Sequence, residues 1–253
     1  MRRVFFSIVL IFMVFSGNAQ TEKIRDGHFV IKYDKDVEPY AIAGARILNF
    51  TWDRLDELGF KPPGKFEFRL VKSQRTLLGI NTAKKLIVLE YTTLDPTKIR
   101  ANNVFGLCHE MGHWCMLSIT PTKKNNWMTK EYRESWADYF GISMAGLLYE
   151  KQGLDVWPIP YNYLAWHAET RAQVKDDDDK YGHFISAIFW EKLVNEKGMD
   201  KIPSFFRQLK SNKVKNPDAD KKFRAELIQF GVSNDLLDYF DLNKQYLIDI
   251  IKK

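Results

Sequence analysis

The sequence predicts an α+β fold: a small N-terminal sheet with one helix packed on it, then a helix at a cleft, then a mostly helical C-terminal lobe. Three observations predict it. Alternating apolar residues, the two-residue period of strands, are confined to the first part of the chain, at 28–33, 65–72 and 86–91. Helical spacing takes over from about Asn102 onward. Between the two regimes stands Cys108-His109-Glu110-Met111-Gly112-His113-Trp114, which contains H-E-x-x-H.

Arg2 and Arg3 precede the apolar run Val4–Phe15, and Gly17 and Ala19 are small residues in an A-x-A-like position. This reads as a secretory signal over residues 1–19, cut after Ala19. The run is shorter than the about 20 residues needed to span a bilayer. The mature chain, 20–253, is therefore expected to be exported, to a periplasmic or extracellular space, with no integral membrane segment. It is expected to form one domain, with an α/β lobe over 20–117 and a helical lobe over 118–253. Of the formal net charge of +6, two charges belong to Arg2 and Arg3. The remaining basic residues are scattered, so no nucleic-acid partner is expected.

His28–Tyr33 alternates, with Phe29, Ile31 and Tyr33 on one face, and predicts a strand. A helix follows, with Asp36 as N-cap, Pro39 in its first turn, a stripe of Ile42, Ala45, Leu48, Trp52 and Leu55, and Gly59 as its stop. Asn49-Phe50-Thr51 fits a glycosylation sequon, but it lies within this helix and reads as accidental. Lys61–Gly64 is a turn. Lys65–Lys72 and Leu86–Tyr91 are strands, joined by a polar connection containing glycine. Leu86–Tyr91, just before the H-E-x-x-H helix, is the expected sheet edge for pairing with an extended chain.

The next helix runs from about Asn102 to Leu117, before Pro121. Further helices are expected over 128–148, 161–173 and 181–196, and shorter ones within 202–253. Asp176–Lys180 is expected to be a solvated acidic loop at the start of one of them. Cys108 and Cys115, the two cysteines, would lie about 10 Å apart along a helix, beyond the about 7 Å limit for a disulfide. Both are expected to be buried free thiols.

On a helix, His109 and His113 stack one turn apart on one face and can share an ion. With 5 His in 253 residues, a random chain of this composition would show the motif in roughly 0.5% of cases. In zinc hydrolases the two histidines hold Zn²⁺, and the glutamate, here Glu110, accepts a proton from the water the metal activates. One Zn²⁺ per chain is therefore expected, and a catalytic zinc takes a third protein ligand. A glycine at 116 and a histidine at 119 would mark the metzincin pattern; the chain has Met116 and Ile119. Glu131, Glu134, Asp138, His167 and His183 remain. Glu134 and Asp138 lie four apart, on one face of the following helix. Glu134 can ligate while Asp138 orients a ligand histidine, and Glu131 is the alternative ligand.

At these residues the chain resembles the gluzincins, the thermolysin-like and aminopeptidase-like clan of zinc peptidases. His109, Glu110 and His113, with Glu134-x-x-Ala137-Asp138-Tyr139, fall on that clan's ligand, base, ligand, ligand and supporting-carboxylate positions. The 113-to-134 spacing is slightly longer than in the best-known members, and the Gly-x-Met-x-Asn element of the aminopeptidases is absent. The resemblance implies a peptide or protein substrate, cut by an endopeptidase. It also implies an oxyanion-stabilising donor from the helical lobe, for which Tyr181 and His183 are the candidates. Trp127, Trp157 and Trp166 are candidate subsite walls. Other classes fitting the motif are a zinc amidase acting on cell-wall or modified substrates, and a non-catalytic peptide-binding module with a zinc site.

Overall fold

The computed structural model describes residues 21–60, 64–75, 77–81, 84–94, 101–119, 130–152, 178–211 and 219–241. The signal expected over 1–19, the helix expected over 161–173, His167, and Trp127, Trp157 and Trp166 lie outside them. The described elements are β1 (Thr21–Asp26), β2 (Phe29–Asp34), α1 (Glu38–Glu57), β3 (Phe66–Lys72), β4 (Leu77–Asn81), β5 (Leu86–Tyr91), α2 (Ala101–Ile119) and α3 (Lys130–Gln152). They continue with α4 (Asp178–Lys197), α5 (Ile202–Ser211), α6 (Ala219–Gln229) and α7 (Asn234–Asp241). Among the described residues, no helix is long and apolar enough to cross a membrane.

The sheet has the order β1-β2-β3-β5-β4. Its inner strands run parallel, β2 to β3 and β3 to β5, while β1 and β4 pair antiparallel at the two edges. Register places Ile31 beside Phe68 and Phe68 beside Ile87, so the apolar residues of all three inner strands share one face. Phe29, Ile31, Tyr33, Phe66, Phe68, Leu70, Ile87, Leu89 and Tyr91 are all buried there. The opposite face carries Lys32, whose Nζ lies 2.8 Å from Glu67 Oε2, and Arg69, which also pairs with Glu67.

Two strands depart from expectation. Neither β1 nor β4 shows in the alternation pattern, because each lies at an edge. In β1 (TEKIRD) Ile24 is the one apolar residue, and β4 (LLGIN) runs its apolar residues together around Gly79. The consequence for the site is a correction: Leu86–Tyr91 lies between β3 and β4, and among the described residues the open edge beside α2 is Leu77–Asn81.

The helix α1 covers the apolar face of the sheet with Tyr40, Ala41, Ala45, Ile47 and Leu48. Pro39 sits in its first turn as expected. Asp36 does not cap it: residues 35–37 form a 3₁₀ turn, and Val37 precedes the first helical residue without a side-chain cap. At the C-terminus, Phe60 N–H donates to Leu55 O (2.9 Å) and Gly59 N–H to Asp56 O (2.8 Å), a Schellman closure that needs the positive φ of Gly59. The Asn49 side chain accepts from His28 N–H (2.9 Å) and donates to Asp26 O (3.2 Å), holding the β1–β2 turn, while Thr51 is fully buried. The sequon is thus committed to packing.

The helix α2 is apolar nearly all round, as an element enclosed by the fold must be. Val104, Leu107, Cys108, Met111, Trp114 and Cys115 are buried, with α1 on one side and α3 on the other. Both cysteines are free, as expected. Cys108 touches Thr51 Oγ1 at 3.5 Å, and burial pushes its thiol up to about 12. Behind α3, Trp136, Phe189, Trp190, Phe205, Phe206 and Phe223 form an aromatic core under α4–α6. Of the acidic run expected to be a loop, Asp178, Asp179 and Lys180 belong to α4, and Asp176 and Asp177 lie outside the described residues.

Candidate metal centre

The seam between α2 and α3 brings the ligand residues together, and two glycines set its width. A Cβ on Gly112 would stand 3.1 Å from Ala137 Cα, and one on Gly141 would stand 3.1 Å from the His109 backbone nitrogen. The two helices therefore approach closely at both positions. Trp136 Nε1 crosses the seam to donate to Gly112 O at 3.1 Å. These contacts were not anticipated from the sequence. Gly112 and Gly141 are two of the four glycines inside these helical stretches, where glycine is intrinsically unfavourable and calls for a packing reason.

With the helices so held, His109, His113 and Glu134 each present a ligand atom, all within 4.8 Å of one another. Glu134 Oε2 lies 3.0 Å from His113 Nε2 and 3.9 Å from His109 Nε2. Ligand atoms about 2.0–2.2 Å from a tetrahedral ion are separated by about 3.3–3.6 Å, and these two gaps bracket that range. The rings of His109 and His113 are 4.6 Å apart and nearly perpendicular. This donor set fits a divalent cation.

Asp138 stands behind His109, its Oδ1 2.8 Å from Nδ1. This contact on Nδ1 leaves Nε2 directed towards the other donors. Burial works against a charged His109, but Asp138, Glu110 and Glu134 outweigh it and hold its basicity above the ordinary value.

Glu110 is buried beside the cluster, 8% exposed. Burial raises its carboxyl above the usual range and Glu134 adds to that; the nearby histidines and the Ile80 backbone N–H, which donates to it, act in the opposite sense. That N–H belongs to β4. In an antiparallel pair, backbone groups turn alternately into and out of the ladder, so Ile80 and Leu78 face the open edge. The edge strand therefore borders the cluster directly.

This is the gluzincin H-E-x-x-H-plus-glutamate geometry. It is a candidate catalytic metal-binding triad, of the kind typical of zinc hydrolases. A scan of protein-family models and a search of curated proteins found no match to this chain.

Glu131 belongs to α3, and Tyr181 and His183 belong to α4, but the side chains of all three lie outside the described residues. Among the described residues, the donor that joins His109 and His113 is Glu134, and Asp138 lies against His109.

Proposed function

We propose that the chain is an exported zinc-dependent peptidase that cuts within peptide chains. The observation that carries this reading is the buried Glu110 carboxylate beside three converging donors. A purely structural metal site needs no base and closes its coordination with a fourth protein ligand. Export is inferred from Arg2, Arg3 and the apolar run that follows them.

Zinc held by His109, His113 and Glu134 would supply a Lewis acid that acidifies water and polarises a carbonyl. Glu110 takes the proton of the attacking water on its carboxylate and returns it to the departing amine. Asp138 keeps His109 in the tautomer that leaves Nε2 free to ligate. The open edge of β4 offers main-chain groups to an extended substrate, which fixes the scissile bond over the site with little demand on its sequence. Tyr181 and His183, near the N-terminal end of α4, are the proposed donors to the developing oxyanion.

The test combines metal analysis with a peptide-library digest. Purified protein should carry one zinc per chain and cut peptides internally, with cleavage stopped by chelator and restored by zinc. Glu134→Ala should lose the metal, and Glu131→Ala should keep it. A protein that binds zinc but cleaves no peptide under these conditions would overturn the peptidase reading.

A further inference from the structure

The segment between α2 and α3 lies outside the described residues, yet the axial position of α3 decides whether Glu134 can ligate. A slide of one residue moves a helix about 1.5 Å along its axis, most of a metal–oxygen bond length. Gly112 and Gly141 set how closely the helices approach, but a smooth glycine contact does not fix how far one helix slides along the other. A directional bond does.

Trp136 makes one. Its Nε1 donates to Gly112 O, the residue preceding the ligand His113, while its ring is fully buried two residues after Glu134. The ring cannot swing, because Phe60, Phe140, Trp190 and Phe206 surround it at centroid distances of 6.1, 5.7, 5.3 and 5.1 Å. A second indole continues the chain of bonds: Trp190 Nε1, on α4, donates to Tyr132 O at 3.0 Å and to Ser135 Oγ at 3.2 Å. Those acceptors flank Glu134 in sequence. Two tryptophans thus tie α4 to α3 and α3 to α2, each through a bond made next to a ligand.

We propose that Trp136, backed by Trp190, is a positioning residue for the metal centre: its bond to the Gly112 carbonyl sets the register that brings Glu134 to the histidines. This inference rests on the metal-centre reading above. It does not require the bond to hold the fold together. Cys115 Sγ also donates to Gly112 O, at 3.1 Å, so removal of the indole N–H leaves that carbonyl partnered.

The experiment measures zinc affinity of the metal-free protein by chelator competition and records the absorption spectrum of the cobalt-substituted protein. Trp136→Phe should lower zinc affinity about 10–100-fold, the usual cost of losing a residue that orients ligands, and should shift the cobalt bands. Trp190→Phe should do the same to a smaller degree. Where Trp136→Phe does not fold, 3-benzothienylalanine at position 136 replaces the indole N–H by sulfur at nearly constant shape and carries the same expectation. Wild-type affinity and an unchanged cobalt spectrum in a folded variant would overturn the proposal, even if its melting temperature fell. Glu134→Ala separates the two failures. If that variant binds zinc like the wild type, the metal-centre reading falls; if it loses zinc while the Trp136 variants keep it, the positioning proposal falls alone.

Discussion

His109 Nδ1 and Asp138 Oδ1 meet at 2.8 Å across the seam between α2 and α3. The carboxylate holds the ring so that Nε2, and not Nδ1, faces the other ligands. Asp138→Asn keeps the shape and removes the charge. Its zinc affinity should fall about 10–100-fold while helix content stays unchanged, measured by chelator competition and circular dichroism.

In the proposed mechanism Glu110 needs its negative charge for proton transfer but not for holding metal, since it is not among the three converging donors. Glu110→Gln should therefore retain wild-type zinc content and lose about 10²–10⁴-fold in turnover, the usual contribution of a positioned general base. A zinc-loaded variant with full activity would assign the base elsewhere.

The seam glycine allows a sharper stability test than the ligands do. Gly112→Ala drives a methyl to 3.1 Å from Ala137 Cα, a backbone atom that cannot rotate away. Helix propensity favours alanine, so packing and propensity oppose each other, and overpacking should win by about 1–3 kcal/mol. Gly79→Ala, where nothing lies within 4 Å of the added carbon, serves as the control. Denaturant titration should show a loss at 112 and little change at 79.

On the open sheet face, burial raises the Glu67 carboxyl, but hydrogen bonds from Lys32 and Arg69 outweigh it and hold it below its ordinary 4.5. A depressed folded-state value means that its stabilisation is present above the unfolded value and is lost as pH falls through the folded one. Glu67→Gln should thus weaken the fold more at about pH 7 than at about pH 3. Equal loss at both values would show that Glu67 acts through packing alone.

The metal-binding cluster was legible in the sequence because few residue types can hold a divalent ion. Two histidines at helical spacing point to a metal, and Glu134, on the next helix, joins them as the third donor. The inner strands were legible because one face of each is buried and the alternation is clean. The edge strands were not, since exposure removes the pressure that creates alternation: β1 carries Ile24 among polar residues, and β4 interrupts its apolar run at Gly79. That loss hid the strand bordering the site and assigned its place to β5. Gly112, Gly141 and the indole of Trp136 act through where a neighbouring helix lies, which a linear pattern does not encode. Asp36 misled for a local reason: a short 3₁₀ turn intervenes, and the chain enters α1 without a side-chain cap.

The two buried thiols of α2 give the protein an internal clock. Cys108 and Cys115 have no solvent exposure in the folded chain, and burial raises both well above the ordinary thiol range. A thiol reagent therefore reaches them only when the helix separates from its neighbours, and the labelling rate reports how often that helix leaves its place. The helix also carries both histidine ligands, so any ion that binds them must slow the labelling, and the degree of slowing reads out metal affinity without a substrate.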